Sequence, residues 1–288
     1  VLFFVTLLVI AMIVITLLRW IQHLANFGSL GETSQRVEQA TRAALTERLQ
    51  NPCMGGSAWQ GDLPAAARPH PLLPESIGYL QHIDLQRLND RADAQQVHLY
   101  LAAQPGSFVH PGSPLLWCTQ PMSEEEQHHL QSAFTIGEQR SYEQDPRFGL
   151  CVLAEIASRA LSPAVNDPGT AIDIIGRAVR LFGHPVPPAS DEVAWPRIFI
   201  RPAQISDMFD DVFTAIGRDG AGLAEVQIRL QKSLQALALI APHRYAADAQ
   251  RHSRLALSRA NMAMSCAADK TAVERAAIWA LPEKISCD

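Results

Sequence analysis

Residues 1–18 read VLFFVTLLVIAMIVITLL, eighteen positions without an ionisable side chain, and the first charge of the chain is Arg19. At 1.5 Å of rise per residue such a run reaches roughly 27 Å as a helix, and with Arg19 and Trp20 it approaches the ~30 Å hydrocarbon thickness of a bilayer. Thr6 and Thr16 are compatible with lipid, because a helical threonine can return its hydroxyl to a carbonyl of the preceding turn. Trp20 suits the headgroup level. A soluble helix that is apolar on every face has few uses, and a secretory signal would place its basic residues before the apolar run rather than after it. Residues 1–26 are therefore expected to be a transmembrane helix. The chain opens on Val1 rather than Met, so this helix is expected to be the last of several, with earlier residues missing.

The flank of the helix gives an orientation. Arg19, Arg36, Arg42 and Arg48 follow it, and basic residues are retained on the cytoplasmic side. Residues 27–288 are expected to face the cytoplasm from the inner (cytoplasmic) membrane. Cysteine usage agrees: Cys53, Cys118, Cys151, Cys266 and Cys287 are odd in number and widely spaced, with no CxxC pair, which reads as reduced thiols. Across all 288 residues 48% are hydrophobic and 18% charged, with a net charge of −5, so the chain is expected to fold. The acidic balance and scattered cations exclude a nucleic-acid partner. The expected partners are the lipid bilayer and further copies of the chain in a homo-oligomer.

Beyond the membrane segment the fold class reads as α+β. Residues 27–75 form a connector and linker: TSQRVEQATRAALTERLQ at 33–50 has Val37, Ala40, Ala44 and Leu45 at helical spacing, and 51–75 is dense in Gly and Pro. Residues 76–122 are expected to form a small β-domain, since SIGYLQHI and VHLYLA alternate, the helix between them opens on Asp84, and PGSFVHPGSPLLW is punctuated by turn residues. Residues 123–288 read as a mainly helical cytoplasmic domain. It opens on Ser123 with Glu124–Glu126 at the positive end of a helix and is interrupted by GHPVPPASDE at 183–192. Leu223, Val226, Leu230, Leu234 and Leu237 are a core stripe.

The signatures of catalysis are absent: P-loop, GxGxxG, GxSxG, HExxH, EF-hand and paired CxxC are all missing. No catalytic residue is assigned. No metal is expected, because His128 and His129 are adjacent and point about 100° apart on a helix. No cofactor is expected either. The pattern from Gly106 to Leu115 is like the turn-rich half of a biotinyl or lipoyl carrier, but the lysines available for modification are Lys232, Lys270 and Lys284, far from that turn.

One polar constellation stands out in the segment that follows QDPRFG at 144–149. Glu155 and Arg159 lie i, i+4, a ready ion pair; Ser162 and Pro163 end that helix; Asn166 suits a left-handed turn; Asp167 with Pro168 begins the next helix, helped by Thr170, with Asp173 one turn on. As a functional site, Glu155, Arg159, Ser162, Asn166, Asp167, Thr170 and Asp173 would converge on a polar pocket. As a structural feature they would lock a helix–turn–helix corner, and the capping role of so many of them favours that reading.

Four stretches, GYLQHID at 78–84, PGSFVHPGSPL at 105–115, EQRSYEQDPRFGL at 138–150 and above all IASRALSPAVNDPGTA at 156–171, resemble the bacterial predicted membrane proteins of domain of unknown function 2254. The usual family pattern has Thr near Ser141 and Asp in the slot of Glu155. The resemblance implies an integral membrane protein in which several membrane helices precede a cytoplasmic region, and it carries over no catalytic residue. Together these readings favour a non-enzymatic membrane module: a channel, transporter-like or scaffold assembly. The alternatives are a membrane-anchored small-ligand sensor and an enzyme using the corner at 159–173.

Overall fold

The computed structural model describes residues 2–26, 30–65, 70–188 and 193–281. The first helix, α1 (Leu2–Asn26), has mean hydropathy 2.4 over Phe3–Trp20 with none of that window buried, and among the described residues it is the one helix long and apolar enough to cross a membrane. Thr16 Oγ1 donates to Met12 O at 2.7 Å, the internal bond that makes a threonine tolerable in lipid.

The next helix, α2 (Leu30–Gln50), is built into the protein rather than lying beside it. Val37, Leu45 and Leu49 belong to the large helical core, and two polar devices hold the helix there. Glu38, 5% exposed, receives Arg177 Nη1 at 2.8 Å and Arg180 Nε at 2.9 Å from a helix remote in sequence, as well as Arg42 Nη2 at 3.0 Å from its own. Thr41 packs so closely on Gly149 that any Cβ there would overlap the threonine hydroxyl.

Among the described residues, eight short strands follow in two sheets. The first sheet has the order β1-β8-β4-β6-β2, made of β1 (Gly56–Ala58), β8 (Trp195–Ile200), β4 (Leu99–Leu101), β6 (Leu116–Cys118) and β2 (Pro71–Leu72). β8 runs parallel to both neighbours, and the other pairings are antiparallel. The second sheet is antiparallel, β5-β3-β7, from β5 (Phe108–Val109), β3 (Gly78–Ile83) and β7 (Phe134–Gly137). With α3 (Leu85–Gln95) and α4 (Glu124–Gln131) they enclose an apolar core that includes Leu80, Leu88, Leu99, Leu116 and Ile198. Asp84 caps α3 by accepting from Arg87 N at 2.9 Å. Ser123 and Glu126 form a reciprocal capping box on α4.

Strands confined to 76–122 were too narrow an expectation. β1 and β2 come from the stretch that read as linker, and β7 and β8 from the stretch that read as helical. β1, β2 and β7 have two to four residues, too few periods for a pattern to register, and β8 carries Pro196 at its second position, which weakens a strand signal; these strands exist because remote partners complete their backbone hydrogen bonds. Part of the expected break at 183–192, residues 189–192, lies outside the described residues.

The remaining helices are α5 (Pro146–Ala160), α6 (Pro168–Phe182), α7 (Ile205–Asp219), α8 (Ala224–Ile240), α9 (Pro242–Ala263) and α10 (Ala267–Ala277). Val226, Leu230, Leu234 and Leu237 are fully in the helical core and Leu223 packs against it. That core also includes Leu150 and Leu153 of α5 and Phe209 and Phe213 of α7, which fixes where the N-termini of those two helices lie.

Candidate functional site

The polar corner between α5 and α6 is a junction whose hydrogen bonds are used locally. Ser162 Oγ donates to Arg159 O at 2.7 Å, Asn166 N donates to Ser162 O at 2.9 Å and Asp167 N donates to Ala160 O at 2.8 Å. Asn166 adopts φ +50°, the left-handed conformation its position calls for. Asp167 accepts from Thr170 N at 3.1 Å and from Thr170 Oγ1 at 2.5 Å. The Thr170 hydroxyl is the first cause, ahead of the backbone N–H groups, that holds the Asp167 carboxyl below its usual pKa. Asp173 is turned away to Arg177 Nε at 2.6 Å. Glu155 and Arg159 are both exposed, and among the described residues no ion pair joins them. The corner thus gathers Ser162, Asn166, Asp167, Thr170 and the Arg159 carbonyl, while Asp173 engages Arg177.

A different site lies where the β-rich and helical parts meet: a cavity of about 580 Å³. Its walls come from four places in the chain, namely the last turn of α2, the turn after β4, the loop leading into α5, and the connection from β8 into α7. Four arginines line it: Arg48, Arg140, Arg147 and Arg201.

Local structure explains each wall. Gln104-Pro105-Gly106-Ser107 is a tight turn closed by Ser107 N donating to Gln104 O at 2.9 Å, with proline second and Gly106 third at φ +94°, a combination suited to these two residues. A Cβ at Gly106 would overlap the Asp145 carboxylate, so this glycine is also required by close approach. Asp145, 1% exposed, is the N-cap of α5 and accepts from Phe148 N at 3.2 Å, with Pro146 next. The same carboxylate receives Arg140 Nε at 2.7 Å and Nη2 at 3.0 Å. Burial alone would lower the pKa of Arg140, but these bonds outweigh it and raise it. Arg147 is held by Asp211, at 2.6 and 3.0 Å, and by Asp207 at 3.1 Å; the Asp211 hydrogen bond is the main cause that raises its pKa.

The other two guanidiniums are held differently. Arg48 is 7% exposed and rests on neutral acceptors, Gln104 Oε1 at 3.2 Å and Gln144 O at 3.0 Å. Burial pulls its pKa down, with Asp145, Cys53 and Glu47 acting weakly against it. Arg201 stacks over Trp59 with its guanidinium 4.5 Å from the ring centroid and reaches Gly61 O at 3.4 Å. Neither has a carboxylate within ion-pair distance among the described residues. The start of α7 adds to the same wall: Gln204, its N-cap, makes no side-chain cap hydrogen bond and instead donates to Pro202 O at 2.9 Å. An uncapped helix N-terminus carries partial positive charge and free N–H donors. No histidine or cysteine is among the lining residues, and both lining carboxylates are engaged by arginine. What the cavity presents is cationic binding groups.

Sequence reasoning did not pick out this site, because its arginines are scattered from position 48 to position 201. One signal was available: two of the four stretches that carry the family resemblance, 105–115 and 138–150, supply Pro105, Gly106, Ser107, Arg140, Asp145, Pro146 and Arg147 to its wall.

Comparison with known proteins bears on the whole chain. The family described as "Predicted membrane protein (DUF2254)" matches residues 1–236. An uncharacterized protein of Mycobacterium bovis and one of Mycobacterium tuberculosis are each 39% identical to the chain over 112 residues, 36% of this chain and 21% of theirs. The matched stretch thus spans about a fifth of the length of these relatives. No solved structure matches.

Proposed function

Because the chain belongs to the DUF2254 family of predicted membrane proteins, we propose that it is a membrane-anchored, non-enzymatic module whose folded body binds a small anion in the arginine-lined cavity. The observation that carries this reading is Arg48, a buried guanidinium that faces an open cavity with neutral acceptors in place of a carboxylate. A charge removed from water without a counter-ion is costly, and an anion entering the cavity supplies one. Among the classes the sequence left open, this favours the small-ligand sensor over the channel, the transporter and the enzyme.

The test is anion-dependent stability of the full chain in detergent. Millimolar phosphate should raise the melting temperature of the wild type and leave Arg48→Met unchanged. Equal shifts in both proteins, or none in either, would remove the cavity from the account. For the anchor, α1 should keep the chain in the membrane pellet through alkaline carbonate extraction. Our reading has the body on the cytoplasmic side of an inner membrane, and Arg19 directly after the apolar run supports it. Cysteines of intact cells should then resist a membrane-impermeant thiol reagent until the cells are permeabilised, and early labelling would reverse the orientation.

A further inference from the structure

Building on the anion-binding reading above, we infer that the ligand is a small organic monoanion, one charged head on an uncharged and mostly apolar body, in the class of aliphatic carboxylates. Most charges of the cavity are matched from within. Arg140 is paired with Asp145 by two hydrogen bonds, and Arg147 with Asp211 by two more. Arg201 contributes to the lining, but its guanidinium stacks over Trp59 and donates to Gly61 O, and neither of those residues borders the cavity. Asp207 receives Arg147 Nη1 at 3.1 Å, and its carboxylate is half-exposed, so water serves the rest of it. Arg48 is left. It is buried, and its described hydrogen bonds go to the neutral acceptors Gln104 Oε1 and Gln144 O. Asp145 acts on it from beyond ion-pair distance and is already bound to Arg140. A single buried positive charge therefore borders the space without a counter-ion.

One charge calls for one head group. A second negative charge on the ligand would have to settle near Asp207 and Asp211, which together outnumber Arg147, or among apolar side chains. The rest of the lining suits an uncharged body. Ala102, Pro105, Pro146, Pro202, Ala203 and Met208 border the cavity. Its uncharged polar side chains have partners within the protein: Gln104 Oε1 accepts from Arg48, Ser107 Oγ accepts from Gln104 N at 3.2 Å, and Gln204 Nε2 donates to Pro202 O at 2.9 Å. Size points the same way. The cavity of about 580 Å³ has room for roughly twenty waters at ~30 Å³ each and falls within the ~300–1,000 Å³ range of small-molecule pockets, so a bare inorganic anion would leave most of it wet. Carboxylate oxygens fit the paired N–H donors of a guanidinium, and an aliphatic chain gains by leaving water.

The experiment is calorimetric titration of the full chain in phosphatidylcholine nanodiscs, blanked against empty nanodiscs, at neutral pH and one ionic strength set with chloride. Hexanoate, adipate, 6-aminohexanoate, acetate and phosphate are compared; the first three have chains of equal length and carry one negative charge, two, or one charge of each sign. Hexanoate should bind at least about tenfold tighter than each of the others, and Arg48→Met should weaken it by at least about tenfold, as expected when a charged hydrogen-bonding partner is lost. Ala102 is exposed and borders the cavity, so Ala102→Glu tests the site if the Arg48 variant does not fold. Its added negative charge should weaken hexanoate by at least about fivefold, and an unchanged affinity would overturn the proposal. Adipate or 6-aminohexanoate binding as tightly as hexanoate would overturn the single charge. Acetate doing so, or phosphate alone binding, would overturn the apolar body, and each of these results leaves anion binding standing. An absence of binding by every compound, phosphate included, would overturn both readings. Phosphatidylglycerol also carries one negative charge on an apolar body: hexanoate binding that is unaffected by its inclusion in the nanodiscs supports a free solute, whereas complete displacement would assign the cavity to lipid and overturn the solute.

Discussion

Two helices of this protein begin with the same two residues. Asp145-Pro146 opens α5 with the aspartate at φ −116° and ψ 86°, and Asp167-Pro168 opens α6 with φ −111° and ψ 84°. Each aspartate caps the backbone N–H three residues on, and each proline takes the first helical position, where its missing N–H does no harm. Yet Asp167 sits in a local junction and its bonds end there. Asp145 is buried, fastened to Arg140, and pressed against Gly106 in the wall of the cavity. The same local motif therefore serves as a helix start in one place and as a helix start joined to a site in the other. What separates the two is Arg140, five positions before Asp145, together with Gly106, which tertiary structure brings from the turn after β4.

Substitution should expose that difference. The largest effect is expected from Asp145→Ala, which removes a cap and strands a partly buried guanidinium; breaking such a pair costs roughly 3–5 kcal/mol. Chemical denaturation of a detergent-solubilised chain measures it, and a loss no greater than that of Asp167→Ala would dissolve the distinction. Gly106→Ala comes next, at about 1–3 kcal/mol, because a side chain must enter a positive-φ position and push against the Asp145 carboxylate. Its loss should be accompanied by loss of anion-dependent stabilisation.

Asp167→Ala should lower the melting temperature less than either, and anion-dependent stabilisation should survive. The carboxylate also predicts a pH signature. Its folded-state pKa is depressed below the unfolded value of 3.8, so the stabilisation is fully present above that value and is lost as pH falls through the folded pKa. The difference in stability between wild type and Asp167→Asn should be flat near neutrality and shrink in that acid window; a constant difference down through it would show that the charge contributes nothing. Asn166→Gly should be smallest, within about 0.5 kcal/mol, since glycine adopts the left-handed turn without strain. If this variant melted normally but no longer responded to anions, the corner rather than the cavity would be the site.

How much of this was legible in the sequence follows from the range of each signal. The caps at Asp84, Ser123, Asp145 and Asp167 act over three residues, so their chemistry is written beside them. α1 was legible because eighteen consecutive apolar residues have few other uses. The left-handed Asn166 could be read from its neighbours. The pairing of β1 with β8 could not: the two come from opposite ends of the body, β1 has three residues, and β8 carries Pro196 at its second position. The helix at 33–50 was visible, but that it belongs to the core was not, since Glu38 finds Arg177 and Arg180 some 139 and 142 positions away. The cavity is the extreme case, with no two of its four arginines closer than seven positions. Arg140 and Arg147 in EQRSYEQDPRFGL had no evident local task, and that lack was the available clue.

The place of β8 in its sheet has a consequence in time. It lies between β1 and β4, parallel to both, and Ser57 bonds to Pro196 across 139 positions of chain. A ribosome adding about 5–20 residues per second needs roughly 7–28 s to travel that distance. Throughout that interval α1 is already made, while the strand that joins the two sides of the five-stranded sheet has not left the ribosome. Arg201 follows directly behind β8. The cavity wall that Arg201 supplies is therefore completed late, and a nascent chain truncated before residue 195 would carry α1 without that wall.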